Sequence, residues 1–270
     1  MRHLTLLCLC AAIACETAHP VPVNTVTPSA TCSGLFGLPN ERTGTDQSSC
    51  TASCECFEGA HLSNDFYLDS PRFDSDHLNP LDELVDNPYT QSPRAPEEDQ
   101  DSLVCAITFT PDFTGYELST RSVDEVPSSI ITHTGPCGLC SSLQDLKVYA
   151  SKTDLTDPVR QCGLMGITGG KDTNIDCLKT IGFSSQCASI WYYNTVNTRE
   201  ECLDQCLANL NSPYVNANGE LNECLACDEE KSGPIFKRLS GRTRRNSAIP
   251  SAICRPCSSV SRLDHTYLSL

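Results

Sequence analysis

Two cysteines, Cys137 and Cys140, sit in the run Gly135-Pro136-Cys137-Gly138-Leu139-Cys140, after a candidate strand and before a candidate helix. A helix N-terminus in that position lowers the pKa of the first thiol, and the thiolate is the species that attacks a disulfide. The spacing therefore fits thiol–disulfide exchange, with Cys137 as catalytic nucleophile and Cys140 as the resolving thiol. Two features oppose this reading. A thioredoxin-like fold needs further strands after the helix, whereas residues 150–245 read as helices. Fourteen other cysteines, leaving aside those in or beside the leader, also offer structural bridges to either thiol. The same Pro-Cys-x-x-Cys is half of a zinc-deaminase signature, but Ile107 stands where the glutamate proton shuttle belongs, so that chemistry fails.

A second constellation pairs Cys224-Leu-Ala-Cys227 with Cys254-Arg-Pro-Cys257. In a cytosolic chain this spacing suggests four thiolates around zinc. In a chain that passes through an oxidising compartment it suggests disulfides instead. His133, close to Cys137 and Cys140, could complete another metal site, although a lone histidine near a turn is more often simply hydrogen-bonded or exposed. No metal and no cofactor is expected.

The third is basic: Lys237-Arg238-Leu-Ser-Gly-Arg242-Thr-Arg244-Arg245. Guanidinium groups hold sulfate, phosphate or carboxylate bidentately, so Arg238, Arg242, Arg244 and Arg245 form a candidate anion-binding set. Arg242-Thr-Arg244-Arg245 also matches the motif cut by furin-like proteases, and a solvated basic face is the plainest alternative. Gly169-Gly170-Lys171-Asp172 is not a phosphate loop, because Met165 and Asp172 replace its first glycine and its hydroxyl residue.

The elements that position these groups follow from periodicity. Leu103–Thr110 alternates as a strand ended by Pro111, Gly115–Val123 is its hairpin partner, and Ser129–His133 is a third strand. From Ser142 onward the period is helical. Ser142–Ala150 is a short amphipathic helix, Thr156-Asp157-Pro158 opens the next, and Asp172–Ile181 ends at Gly182. Ser185–Asn194 buries Ile190 and Trp191, and a further helix from Thr198 places Cys202 and Cys206 one turn apart on one face. A last helix, Glu220–Leu239, breaks at Gly233-Pro234. The expected class is α+β, helix-rich and disulfide-stapled: a few short strands over about 103–133, then a helical C-terminal region, with a largely irregular N-terminal segment.

Blocks of this region resemble a known family. Thr134-Gly-Pro-Cys-Gly-Leu-Cys-Ser-Ser-Leu-Gln-Asp-Leu146 and Ser232-Gly-Pro-Ile-Phe-Lys-Arg-Leu-Ser-Gly-Arg-Thr-Arg-Arg245 are similar to segments of an uncharacterised family of secreted Cys-rich proteins of algae and other microbial eukaryotes. The resemblance spans roughly Val104 to His265. It implies domain boundaries and carries no known activity.

Composition sets the compartment. Residues 1–14 read as a signal peptide: one basic residue, an apolar run from Leu4, and Ala12-Ile13-Ala14 suited to signal peptidase. No other stretch approaches the roughly 20 apolar residues of a membrane span. Of 19 cysteines, Cys8, Cys10 and Cys15 lie in or beside the leader, and the other sixteen, an even number, read as a disulfide framework in a secreted, extracellular protein. Such bridges help a chain with only 6% aromatic residues hold a fold. Residues 15–102 read as a Cys-containing segment followed by an acidic, flexible linker, with Leu78–Val85 forming a helical turn or two. Residues 103–270 form the disulfide-rich helical domain.

The net charge of −15 disfavours nucleic acid and is unevenly spread. Glu41–Val126 holds nineteen acidic residues against four arginines, and Lys231–Arg262 holds eight basic residues and no acidic one. The expected partner is an anionic ligand or an acidic protein surface. The leading functional reading is a non-enzymatic binding or structural protein, and the second is the secretory-pathway oxidoreductase.

Overall fold

The computed structural model describes residues 68–90, 102–152, 154–216, 220–249, 251–253, 261, 263 and 265–269. The leader-like residues 1–14, the cysteines at 32–56 and the Cys254-x-x-Cys257 pair lie outside the described residues. The expected class holds: a small sheet, then helices stapled by disulfides.

Four strands form one sheet in the order β1-β3-β2-β4. They are β1 (Asp76–His77), β2 (Leu103–Phe109), β3 (Gly115–Ser122) and β4 (Ile131–Thr134). The β2–β3 hairpin is antiparallel, with Phe109 opposite Tyr116 and Leu103 opposite Ser122. Asp112 shapes its turn by accepting from the Thr110 and Thr114 hydroxyls and the Thr114 amide. Val104, Cys105, Ala106 and Ile107 are all buried, so β2 is covered on both faces rather than on alternate residues.

Residues 68–90 fall within the stretch expected to be a flexible linker, yet they are seated on the sheet. Phe73 is buried, and β1 pairs in parallel with β3. Leu78–Val85 is not helical. Asn79 ends the strand pairing instead, its side chain donating to the Leu118 carbonyl at 2.8 Å and accepting from the Leu118 amide at 3.0 Å. A side chain that pairs with a neighbouring strand's backbone holds its own segment extended.

Five α-helices follow: α1 (Leu143–Ser151), α2 (Thr156–Ile181), α3 (Ser185–Ala208), α4 (Glu223–Lys231) and α5 (Gly233–Ser240). The element α2 is two helices folded back on each other. Gly170 sits at φ 80°, ψ −170°, inside the run. Cys162 and Cys177, 15 residues apart, have Cα atoms only 5.4 Å apart and share a disulfide. A straight helix would separate them by about 22 Å. The Gly169-Gly170 pair dismissed as a phosphate loop is thus the reversal of a helical hairpin. Asn174 donates from one arm to the Cys162 carbonyl of the other at 2.9 Å.

The two helices expected between Ser185 and Cys206 run together as α3, kinked at Cys202. The end of α3 is clamped to α4 by Cys202–Cys227 and Cys206–Cys224. One turn on each helix separates the two bridges, and the crossed order of the pairs makes the helices antiparallel. The break at Gly233-Pro234 lies at the start of α5, where proline suits a first helical turn.

Asp145 joins two helix starts. Ser142 caps α1 and Ser184 caps α3, and Asp145 accepts from both hydroxyls and from the Ser184 amide at 2.8 Å. A carboxylate at two helix N-termini meets the positive ends of both dipoles. Its complete burial nevertheless raises its pKa, against the hydrogen bonds from Ser142 and Ser184.

The chain crosses itself most tightly at Gly138, where an added Cβ would stand 2.5 Å from the Gly241 nitrogen and the Leu239 oxygen. Both neighbours are backbone and cannot swing away. Gly138→Ala is expected to lower stability by roughly 3 kcal/mol in denaturant titration, and Gly170→Ala, strained in φ but facing open space, by about 1 kcal/mol. Equal losses in the two variants would contradict the close crossing.

Candidate functional site

The Cys137-x-x-Cys140 loop is a structural junction. Cys137 is bonded to Cys105 of β2 and Cys140 to Cys187 of α3. The oxidoreductase expectation needs these two sulfurs to exchange with each other, and each is committed elsewhere. The loop backbone pairs with the end of α5, the Leu139 amide donating to the Leu239 carbonyl at 2.9 Å and the Cys140 amide to the Ser240 carbonyl at 2.8 Å. The two sequence blocks that carried the family resemblance therefore meet here.

Arg242 is the pin of that junction, and it is 0% exposed. Its Nε donates to the Cys140 carbonyl at 3.2 Å and its Nη2 to the Ser141 carbonyl at 2.9 Å. Its Nη1 donates to the Thr132 carbonyl at 3.0 Å and the Ser247 hydroxyl at 3.1 Å. Burial depresses its pKa, while the surrounding Tyr267, Asp145, Tyr149 and Tyr116 act in the opposite sense. Arg242 thus departs from the expected anion-binding set, because its donors are directed inward at oxygens of the fold. Across the protease motif, Arg242 is buried and Arg245–Ser247 forms a 3-10 turn.

His133 lies beside this cation and is fully buried. Its Nδ1 faces the Thr134 carbonyl at 3.0 Å and its Nε2 the Ser141 hydroxyl at 2.7 Å. A proton on Nδ1 satisfies that carbonyl and leaves Nε2 to accept from Ser141, whose oxygen accepts from the Gly138 amide. Burial, then the charge of Arg242, drives its pKa well below the usual 6.5. It is a neutral structural histidine, and no group of three or more metal-ligating side chains gathers among the described residues. Cys224 and Cys227, whose spacing with Cys254 and Cys257 would suit zinc in a cytosolic chain, are bonded to Cys206 and Cys202.

The remaining arginines do not form one patch. Arg244 donates to the Tyr149 carbonyl at 2.7 Å and to the Lys152 carbonyl. Arg245 reaches Glu229 at 3.4 Å. Arg238 is half-buried on α5.

Arg244 and Arg245 do border a feature that sequence reasoning missed, a half-open cavity of about 370 Å³. The first arm of α2 gives one wall with Leu155, Val159, Leu164 and Ile167, and α3 gives another with Trp191, Leu203 and Leu207. Leu225 of α4 and Phe236 of α5 close the space between, and Lys237, Arg244 and Arg245 stand along its margin. Gly163 lets the α2 arm approach α3, where its missing Cβ would meet the Thr195 methyl at 2.4 Å. Asp228 lines the cavity too, accepting from the Thr198 hydroxyl and from the Asn194 amide at 3.4 Å, and burial raises its pKa. The one available signal was the apolar spacing of Leu203, Leu207 and Leu210 beside the cysteines of α3.

Residues 171–263 match the model of a family of unknown function (DUF8771). No curated protein and no solved structure matches the chain. The matched stretch contains the second arm of α2, α3, α4, α5 and Arg242, whereas Cys137 and Cys140 precede it.

Two outcomes are expected of this site. Peptide mapping of the unreduced protein should recover Cys105 linked to Cys137 and Cys140 linked to Cys187, with no Cys137–Cys140 peptide. Stability should also fall as pH drops below 6.5, because the unfolded chain takes up a proton that the folded His133 refuses. The slope from this residue is about 1.4 kcal/mol per pH unit, down to its folded pKa. Buried Asp145 and Asp228, with raised pKa values, act in the opposite sense above about pH 4. The comparison with His133→Gln isolates the histidine, and identical slopes in both proteins would refute its assignment.

Proposed function

We propose that the chain is an extracellular, non-enzymatic binding protein that holds an apolar small molecule in the cavity between α2, α3, α4 and α5. The cavity carries this reading. Its volume falls in the range of small-molecule sites, and such sites are concave, mostly apolar and preformed. Leu164, Ile167, Leu203, Leu207 and Leu210 are exposed large apolar side chains that line this same cavity. Apolar surface left open in one place marks a contact awaiting an occupant. Two disulfides hold the α3–α4 wall, so little ordering is required on binding. The five described disulfides and the leader-like residues 1–14 support an oxidising, extracellular setting. An acidic protein surface as partner has less support, since Arg242 is buried and Arg244 donates to carbonyls of its own fold.

The test is calorimetric titration of the secreted protein with decanol. Saturable binding with a raised melting temperature is expected. Leu207→Glu, which places a charge in an already exposed position, should weaken binding about tenfold or more with melting of the free protein unchanged. Absence of saturable binding, or full affinity in the variant, would rule the cavity out as a ligand site.

A further inference from the structure

At the cavity margin one carboxylate serves two cations. Glu229 Oε2 lies 2.7 Å from Lys237 Nζ and 3.4 Å from Arg245 Nη2. All three residues line the cavity, and their side chains are 30% to 41% exposed, so solvent and solutes reach them. Other charged groups line the same cavity. Arg160 and Arg199 are among them, and Arg160 pairs with Asp157 at 3.4 Å. Asp228, the other lining acid, points its carboxylate toward Thr198 and Asn194, and no salt bridge reaches it among the described residues. Among the described residues a single carboxylate thus stands between Lys237 and Arg245.

Resting on the apolar-ligand reading above, we infer that the ligand is an amphipathic anion, its chain in the cavity and its acid group held by Lys237 and Arg245 at the margin. Glu229 marks the position. Its oxygen shows that an acid group between α4 and the segment after α5 is within reach of both cations at once. Charge-assisted hydrogen bonds to a carboxylate are about twice as strong as neutral ones, and a pair already brought together loses little freedom in making them. Glu229 is then both organiser and competitor: it draws the cations together and must share them with the incoming acid. The adjoining apolar wall begins at Phe236, next to Lys237, so head and chain are served by neighbouring residues of α5.

The experiment compares decanoate, decanol and decylamine, each below its micelle concentration, on the full secreted chain at neutral pH. Decanoate is expected to bind about tenfold more tightly than decanol, and decylamine no more tightly than decanol. Glu229→Gln should raise the decanoate-to-decanol affinity ratio several-fold, a gain that misfolding cannot mimic. Lys237→Gln combined with Arg245→Gln should bring the ratio close to one. Decanol binding with no preference for decanoate, a preference for the amine, or a ratio unmoved by Glu229→Gln overturns the anionic head and leaves the cavity reading standing. Failure of all three compounds to bind overturns both.

Discussion

A guanidinium buried away from water must give its protons to oxygens, and Arg242 gives them to three separate parts of the chain. The Cys140–Ser141 carbonyls, the Thr132 carbonyl of β4 and the Ser247 hydroxyl all accept from it. Those segments come from the loop before α1, the sheet and the turn after α5. An unpaired cation there would be expensive. Once that constraint is met, the Gly138–Gly241 crossing, the neutral His133 and the alignment of α5 follow. The cavity margin is set by the same pin, because Arg244 and Arg245 leave it directly.

The disulfides divide the work differently. Cys105–Cys137 and Cys140–Cys187 attach the junction to β2 and α3, tying sheet to helices over long loops of chain. Cys202–Cys227 and Cys206–Cys224 act locally, as a double clamp between two short helical segments. The first pair ties the junction into both sheet and helices, and the second fixes α3 and α4 in one antiparallel register. A helix pair joined at two successive turns can neither slide nor rotate.

Much of this was legible in the sequence where a rule is local. The strand pattern of Leu103–Thr110, the stop at Gly182, the break at Gly233-Pro234 and the shared face of Cys202 and Cys206 all depend on neighbours in the chain. What stayed hidden depends on distant partners. Arg242 reads as surface because charge type says nothing about burial, and only the fold supplies four oxygens around it. Asn79 sits in a stretch with helical composition, yet β3 offers it a backbone to pair with. The cavity was invisible for the same reason: its walls come from four helices, and no window of sequence contains more than two. Cys137 and Cys140 matched a redox spacing because the requirement for two bridges to different elements leaves the same signature as a requirement for one bridge between them.

The folded-back α2 has a mechanical meaning. Its disulfide, Cys162–Cys177, joins the hairpin to itself, and no described bridge ties it to another element. The opposite wall of the cavity is doubly cross-linked to its neighbour. The Cys162–Cys177 bridge and the Asn174 bond tie the two arms together across Gly170, so the hairpin keeps its own shape and can shift against α3, where Gly163 meets Thr195, only as one body. The cavity thus has one wall cross-linked to its neighbour and another, itself rigid, that no described bridge ties to the rest.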